Sequence, residues 1–301
     1  MPGVSINSPR APEPVGPYPH ARRVGNLLFL SGVGPRAQLD GLGIPVVHPL
    51  AGVGQSLQDH YSAAIKLKAK LPITINDVML SNVKKLQHGL KYYLFRNGAL
   101  AQISSPAALF IRTRPELASP DVKISISPFS ADRPQDGLHK WSGFTMIAYQ
   151  LRPESRGEIR LKSANPADAP AMIPNYLTDQ VDQRAIVEGL KTARQILAGP
   201  SLAPFIESEY LPGPAVQTDA ELLAYARERG GTVYHPTSTC KMGIDPMAVV
   251  GPDLTVHGIG GLRVADASVM PTVISGNTNA AAIMVGEKLA DLVRAQLRMA
   301  A

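Results

Sequence analysis

The order of its patterned segments constrains this chain more than any other feature. Strand patterns come as a group: Val122, Ile124 and Ile126 alternate within Pro120 to Pro128, Gly143 to Leu151 is apolar, and Glu158 to Lys162 alternates as a half-exposed strand. Helical periods stand apart from that group. Ser81 to Asn97 sets Val83, Leu86, Leu90 and Leu94 on one face and stops at Asn97-Gly98. Asp179 to Ala198 turns Ile186, Leu190, Ala193 and Leu197 inward and closes at Gly199-Pro200. Thr218-Asp219-Ala220-Glu221 is a capping box opening a further helix, and a last helix runs from about Asn279 to Arg298. Strand–helix–strand alternation is missing, which argues against a self-contained doubly wound sheet.

The first 22 residues, rich in proline and polar groups, read as loop or extended chain. Asn26 to Ser31 reads as a short buried strand or the start of a helix, and Ile44 with Val46-Val47 as a short strand between turns. Between them, Gly32-Val33-Gly34-Pro35-Arg36-Ala37 matches the dinucleotide pattern G-x-G-x-x-G/A. That pattern needs an intact βαβ unit and an acidic residue about 20 positions later. Neither follows, so the stretch is read as a loop entering or leaving a helix.

At 301 residues the chain suffices for one large domain or two ordinary ones. Its net charge of +6 comes without a Lys/Arg block interleaved with aromatics, which excludes a nucleic-acid partner. Attraction of an anionic cofactor or substrate accounts for the balance instead. The single cysteine, Cys240, cannot form an intramolecular disulfide; it points to a reducing compartment, the cytoplasm, and reads as a small buried residue. No secretory leader pattern opens the sequence, no run reaches the roughly 18 apolar residues of a membrane span, and no metal-ligand set is read from it.

Two stretches carry chemistry. Tyr234-His235-Pro236-Thr237-Ser238-Thr239-Cys240-Lys241-Met242-Gly243 holds a histidine in a Pro/Thr/Ser-rich loop, where an imidazole can be kept at a cleft. A lone histidine is more often structural, so this one needs company. Gly261 to Pro271 then gives a short strand at Leu262 and Val264 and a polar turn at Asp266 and Ser268; Asn277-Thr278-Asn279 cap the last helix. A helix N-terminus with free N–H groups favours negative charge such as a phosphate or an anionic reduced isoalloxazine.

Together these stretches resemble the C-terminal signature of the glucose–methanol–choline (GMC) oxidoreductase family, especially its choline-dehydrogenase-like branch. The family's H-P-x-x-T-C-x-M-G, D-A-S-x-M-P and G-N-T-N-A blocks appear in order, followed by Glu287-Lys288-Leu289-Ala290-Asp291-Leu292. Upstream lie Leu-Ser-Gly-Val-Gly-Pro at 30–35, Gly43-Ile44-Pro45-Val46, and Gly52 to His60; Arg152 to Gly157 and Pro174 to Leu177 supply the middle. The resemblance covers about residues 30–300. It implies oxidation of an alcohol by hydride transfer to FAD, with His235 as general base and Asn277 orienting the same hydroxyl. Asp266, Ala267, Asn277, Thr278 and Asn279 would lie near the flavin. Asp59 and His60 would border it, with a structural role and a flavin contact standing as equal alternatives. The fold it implies is α+β: a mixed, mainly antiparallel sheet with helices on one face, plus part of a FAD-binding domain.

Full-length members of that family open with a G-x-G-x-x-G unit for the ADP half of FAD, which this sequence does not show. Residues 1–36 instead resemble the opening of the reactive-intermediate (imine) deaminases, in particular the 2-aminomuconate deaminases, through Pro14 to Ala21 and Val24 to Gly32. The expected organisation is therefore a deaminase-like segment at 1–36, a partial FAD-domain linker at 37–75, a substrate-binding region at 76–230, and a catalytic, flavin-facing segment at 231–301. The partners expected are a small-molecule alcohol and an electron acceptor of unspecified kind. A truncated oxidoreductase that binds flavin weakly by itself is the leading expectation; an inactive chimeric remnant and an imine deaminase are the rivals.

Overall fold

The computed structural model describes residues 4–6, 21–24, 27–30, 33–133, 136–165 and 168–299. The chain forms two compact units, neither continuous in sequence: one comprises 1–59, 155–176 and 234–301, the other 60–154 and 177–233.

The second unit is built on an antiparallel sheet. Its central strand, Tyr61–Ala69, pairs with Gly143–Gln150 on one side and Ile206–Leu211 on the other; Val122–Ser127 and then Ala107–Ile111 extend the sheet beyond Gly143–Gln150. The register sets Ala63 opposite Ala148, Ile65 opposite Met146, and Ile124 opposite Ala148, so one face of the sheet is continuously apolar. The helix Gln180–Leu197 covers that face. Its buried positions Ile186, Gly189, Leu190, Ala193 and Leu197 recur at helical spacing, and the Asp179 carboxylate caps its start by accepting from the Val181 N–H. Gly189 is required by distance: a Cβ there would lie 3.1 Å from both Ala148 Cβ and Val122 Cγ1. The Thr218 capping box opens Asp219–Arg229, and the Tyr225 hydroxyl donates to the Ala64 carbonyl at 2.5 Å, tying that helix to the central strand.

The first unit has a smaller core of Leu50, Val249, Val250, Leu254, Val256, Val269 and Val285, the last from the terminal helix Asn279–Met299. Val33–Gly34 pairs in parallel with His48–Pro49 across the short helix Arg36–Gly41, so the glycine-rich stretch does lead into a helix, though one of six residues. Glu158–Arg160 pairs with Ala171–Ile173 in a separate two-stranded ladder. Val4–Ile6, Ala21–Val24 and Leu27–Leu30 form an antiparallel three-stranded sheet, so the described part of the segment expected as strand or helix start, Leu27–Leu30, is a strand. The rest of the deaminase-like opening, residues 1–3, 7–20, 25–26 and 31–32, lies outside the described residues.

The mixed, mainly antiparallel α+β architecture expected from the sequence is the one observed. One local expectation needs correcting. The strand expected around Ile44 and Val46-Val47 is confined to His48–Pro49, because Gly43 (φ +67°) and Pro45 interrupt extended pairing before it. The helix Asn82–Phe95 forms as its period predicts, and none of its residues is buried.

Leu190 is fully enclosed between helix and sheet. Leu190→Ala is expected to cost about 3 kcal/mol through lost burial and the cavity left behind. A urea denaturation midpoint equal to that of the parent chain would contradict this packing.

Candidate active site

The site lies wholly in the first unit and is organised by the dipeptide Gln58-Asp59. Gln58 exchanges two backbone hydrogen bonds with Thr237: its N–H donates to the Thr237 carbonyl at 3.2 Å and its carbonyl accepts from the Thr237 N–H at 2.8 Å. Its side-chain Oε1 accepts from the Val273 N–H at 2.9 Å. The next residue, Asp59, accepts the His235 N–H at Oδ1 (2.8 Å) and the Tyr176 hydroxyl at Oδ2 (2.6 Å). Two neighbouring side chains thereby hold the histidine loop and the segment leading to Asn277. All of Gln58, Asp59, His235 and Thr237 are buried.

The loop they hold has an uncommon backbone. Tyr234 and Ser238, neither a glycine, adopt φ of 62° and 75° on either side of His235. Each such conformation costs of order 1 kcal/mol, and it persists where neighbouring contacts over-determine it. Here the Gln58-Asp59 bonds do so. Gly54 (φ +78°) extends the same framework: its N–H donates to the Thr239 carbonyl, and a Cβ would stand 2.4 Å from the Ile159 carbonyl oxygen.

Within this frame Asn277 Nδ2 lies 3.2 Å from His235 Nε2. The amide donates, so the ring's lone pair is at Nε2 and its proton at Nδ1. Asn277 itself is exposed while His235 is 8% exposed, so the pair presents a base and an amide at the edge of the unit. An imidazole lone pair can accept a proton; an amide can only orient a hydroxyl.

The remaining residues singled out in the sequence divide into two groups. Asp266 caps its own turn by accepting the Ser268 N–H, and the Ala267–Val269 turn packs against the terminal helix that Asn279 begins. Thr278 is buried and its carbonyl accepts the Ala282 N–H; Asn277 and Asn279 are exposed. The helix continues with Ala280, Ala281 and Ala282, whose small side chains leave its first turn open. Two exposed amides and small neighbours at a helix N-terminus make an edge of the kind that favours negative charge. His60 belongs to the other unit, is fully buried, and places Nε2 3.0 Å from the Leu151 carbonyl oxygen. Asp59, by contrast, is at the site, with both carboxylate oxygens engaged by its own unit.

Cys240 is half-buried beside the valine core, its N–H donating to the Ser268 carbonyl. Burial pushes its thiol above the ordinary range, partly offset by a hydrogen bond with Ser268. Sequence reading omits Gln58 and Tyr176 as site residues. Their only signal is membership of blocks shared with a family, since a glutamine and a tyrosine carry no spacing that marks a clamp.

Among known proteins, residues 153–286 match the C-terminal family model described as GMC oxidoreductase, a span that includes both His235 and Asn277. An alcohol dehydrogenase [acceptor] of Pseudomonas putida is 40% identical over 275 residues, 91% of this chain and 50% of that protein. An oxygen-dependent choline dehydrogenase of Pseudomonas putida F1 is 40% identical over 269 residues, 89% of this chain and 47% of that one. The chain thus spans about half the length of the curated relatives it matches. A formate oxidase of Aspergillus oryzae, solved in connection with modification of its FAD, superimposes with a TM-score of 0.81 at 27% identity, covering 88% of this chain and 51% of that one.

Two outcomes test the site's construction. Asp59→Ala leaves two donors without their acceptor and is expected to cost about 2 kcal/mol, with faster hydrogen exchange at the His235 amide; unchanged protection there would contradict the clamp. Cys240 is expected to alkylate more slowly than a free thiol at pH 8, because less of it is thiolate. Mass spectrometry after iodoacetamide treatment checks this, and labelling as fast as glutathione would rule it out.

Proposed function

The chain belongs to the GMC oxidoreductase family, and we propose that it supplies the catalytic pair of a FAD-dependent enzyme that oxidises the CH–OH group of a small alcohol. The observation that carries this reading is the approach of Asn277 Nδ2 to His235 Nε2 across 42 residues of chain.

On binding, the alcohol hydroxyl takes the place of the Asn277 Nδ2–H at the single lone pair of His235 Nε2, which then accepts the hydroxyl proton. Asn277 orients the same oxygen through its Nδ2–H, so the two residues fix the alcohol from its oxygen end. Asp59 acts as a positioning residue: it grips the His235 backbone and so fixes the main chain from which the ring projects. Asp266, Ala267, Asn277, Thr278 and Asn279 would hold FAD at the open first turn of the terminal helix. When bound, FAD supplies the acceptor for the hydride leaving the alcohol carbon. His60, buried on the Leu151 carbonyl, is read as structural. The unit formed by residues 60–154 and 177–233 is assigned to the substrate side and the other unit to the flavin side. The names of the two bacterial relatives, an alcohol and a choline dehydrogenase, support an alcohol as substrate. The lone cysteine supports work in a reducing compartment such as the cytoplasm.

Assayed with added FAD and a panel of primary alcohols, the chain is expected to reduce an electron-accepting dye only when alcohol is present. His235→Ala is expected to lower that rate by about 10²- to 10⁴-fold, the usual worth of a general base. Dye reduction that is independent of alcohol, or equal in parent and His235→Ala, would sink the assignment.

A further inference from the structure

The helix Asn82–Phe95 is amphipathic in the wrong sense for a core element. At 100° per residue, Val83, Leu86, Leu90, Tyr93 and Leu94 fall within an arc of about 100°. All five are more than half exposed, from 51% at Leu90 to 74% at Tyr93. The opposite side carries Lys84, His88, Tyr92 and Phe95, and two of these side chains hold the helix to the protein. Lys84 donates to the Pro72 carbonyl at 3.4 Å, and His88 Nδ1 accepts the Ala99 N–H at 3.1 Å. The helix is also firmly terminated: the Ser81 hydroxyl accepts from the Lys84 N–H, and Arg96 closes it in the left-handed conformation with its N–H on the Tyr92 carbonyl. This is a formed helix held by Lys84 and His88, with the Val83–Leu94 strip turned to solvent.

Its charge is as one-sided as its apolar face. Between Asp77 and Glu116 the sequence holds Lys84, Lys85, Lys91, Arg96, Arg112 and Arg114 and no acidic residue. We propose that this helix is a docking element that lies in the plane of an anionic lipid bilayer, with Val83, Leu86, Leu90, Tyr93 and Leu94 entering the acyl boundary and Lys85, Lys91 and Arg96 meeting the headgroups. An apolar strip flanked by cations, with aromatic rings at one end, is the pattern of a helix that rests on a membrane surface rather than crossing it. No described helix is long and apolar enough to cross one. A second copy of the chain is a poorer occupant. Two-fold pairing through this face sets the same cations against each other, and the helix has no carboxylate to offset them. An anionic surface turns the same charges into attraction, worth roughly a fivefold gain in binding for each lysine near the headgroups.

The test is flotation of the full 301-residue chain with vesicles of phosphatidylcholine alone and of phosphatidylcholine containing about one-third phosphatidylglycerol, at low and high salt. Binding is expected only to the anionic vesicles and is expected to weaken with salt. Leu90→Glu should abolish it, and Lys85→Glu with Lys91→Glu should reduce it by an order of magnitude or more. Every substituted position is exposed, so circular dichroism is expected to stay that of the parent. Failure to float with anionic vesicles overturns the proposal, as does equal flotation of the parent and a folded Leu90→Glu variant. Sedimentation analysis supplies the remaining arm: a parent dimer that Leu90→Glu converts to monomer would assign the face to a second copy and overturn the lipid assignment.

Discussion

The grip of Gln58-Asp59 on two distant loops is the constraint on which the rest of the site depends. Gln58 and Thr237 pair backbone to backbone, while the Gln58 side chain reaches Val273 and the Asp59 carboxylate reaches His235 and Tyr176. These partners come from three stretches of chain, each separated from Gln58-Asp59 by more than a hundred residues. Bringing such stretches together costs loop-closure entropy, and buried, charge-assisted bonds to backbone N–H groups are strong enough to offset part of that cost. A carboxylate spent on a main-chain N–H fixes where the backbone runs. The imidazole direction follows, because Tyr234 and Ser238 on either side of His235 are held in left-handed conformations that the loop would not otherwise choose.

The chemistry then needs little else from this unit. With Asn277 donating to Nε2, the ring presents its lone pair toward the exposed amide and keeps its proton on Nδ1. The valine core carries the terminal helix through Val285, and that helix in turn carries the Asn277-Thr278-Asn279 turn. Packing of the Ala267–Val269 turn against the same helix brings Asp266 and Ala267 to it. Core, helix and turn form one mechanical series, and the amide that meets His235 stands at its end.

How much of this was legible in the sequence varies by element. The helix Gln180–Leu197 was read almost to the residue, because its apolar period, its Asp179 cap and its Gly199-Pro200 stop all agree. The Thr218 capping box was read from four residues for the same reason: the signal and the structure are equally local. The central strand Tyr61–Ala69 went unread, although it is the longest in the sheet. Two of its inward residues, Ala63 and Ala69, are small, and Ala64 breaks the contrast on the other face, so its alternation is weak until pairing partners are known. In Asn82–Phe95 the period was legible and the direction of the apolar face was not. A hydrophobic period states that a helix has an apolar side; only contacts with the rest of the chain state what that side meets.

The sequence by itself determined the element types wherever caps, stops and period coincide. It also determined the residues that carry the family resemblance and, through the order of strands and helices, that this chain is no doubly wound sheet. The resemblance already implied that His235 and Asn277 act on one hydroxyl; the tertiary structure alone decided that Asp59 clamps the one while Gln58 clamps the segment leading to the other, and that His60, next in the chain, meets the Leu151 carbonyl within its own unit. The physical reason is range. Capping and periodicity follow from the geometry of a few consecutive peptide units and can be read from any short window. Which hydrogen-bond donor a buried carboxylate captures depends on chain brought from far away, and no window of sequence contains both partners.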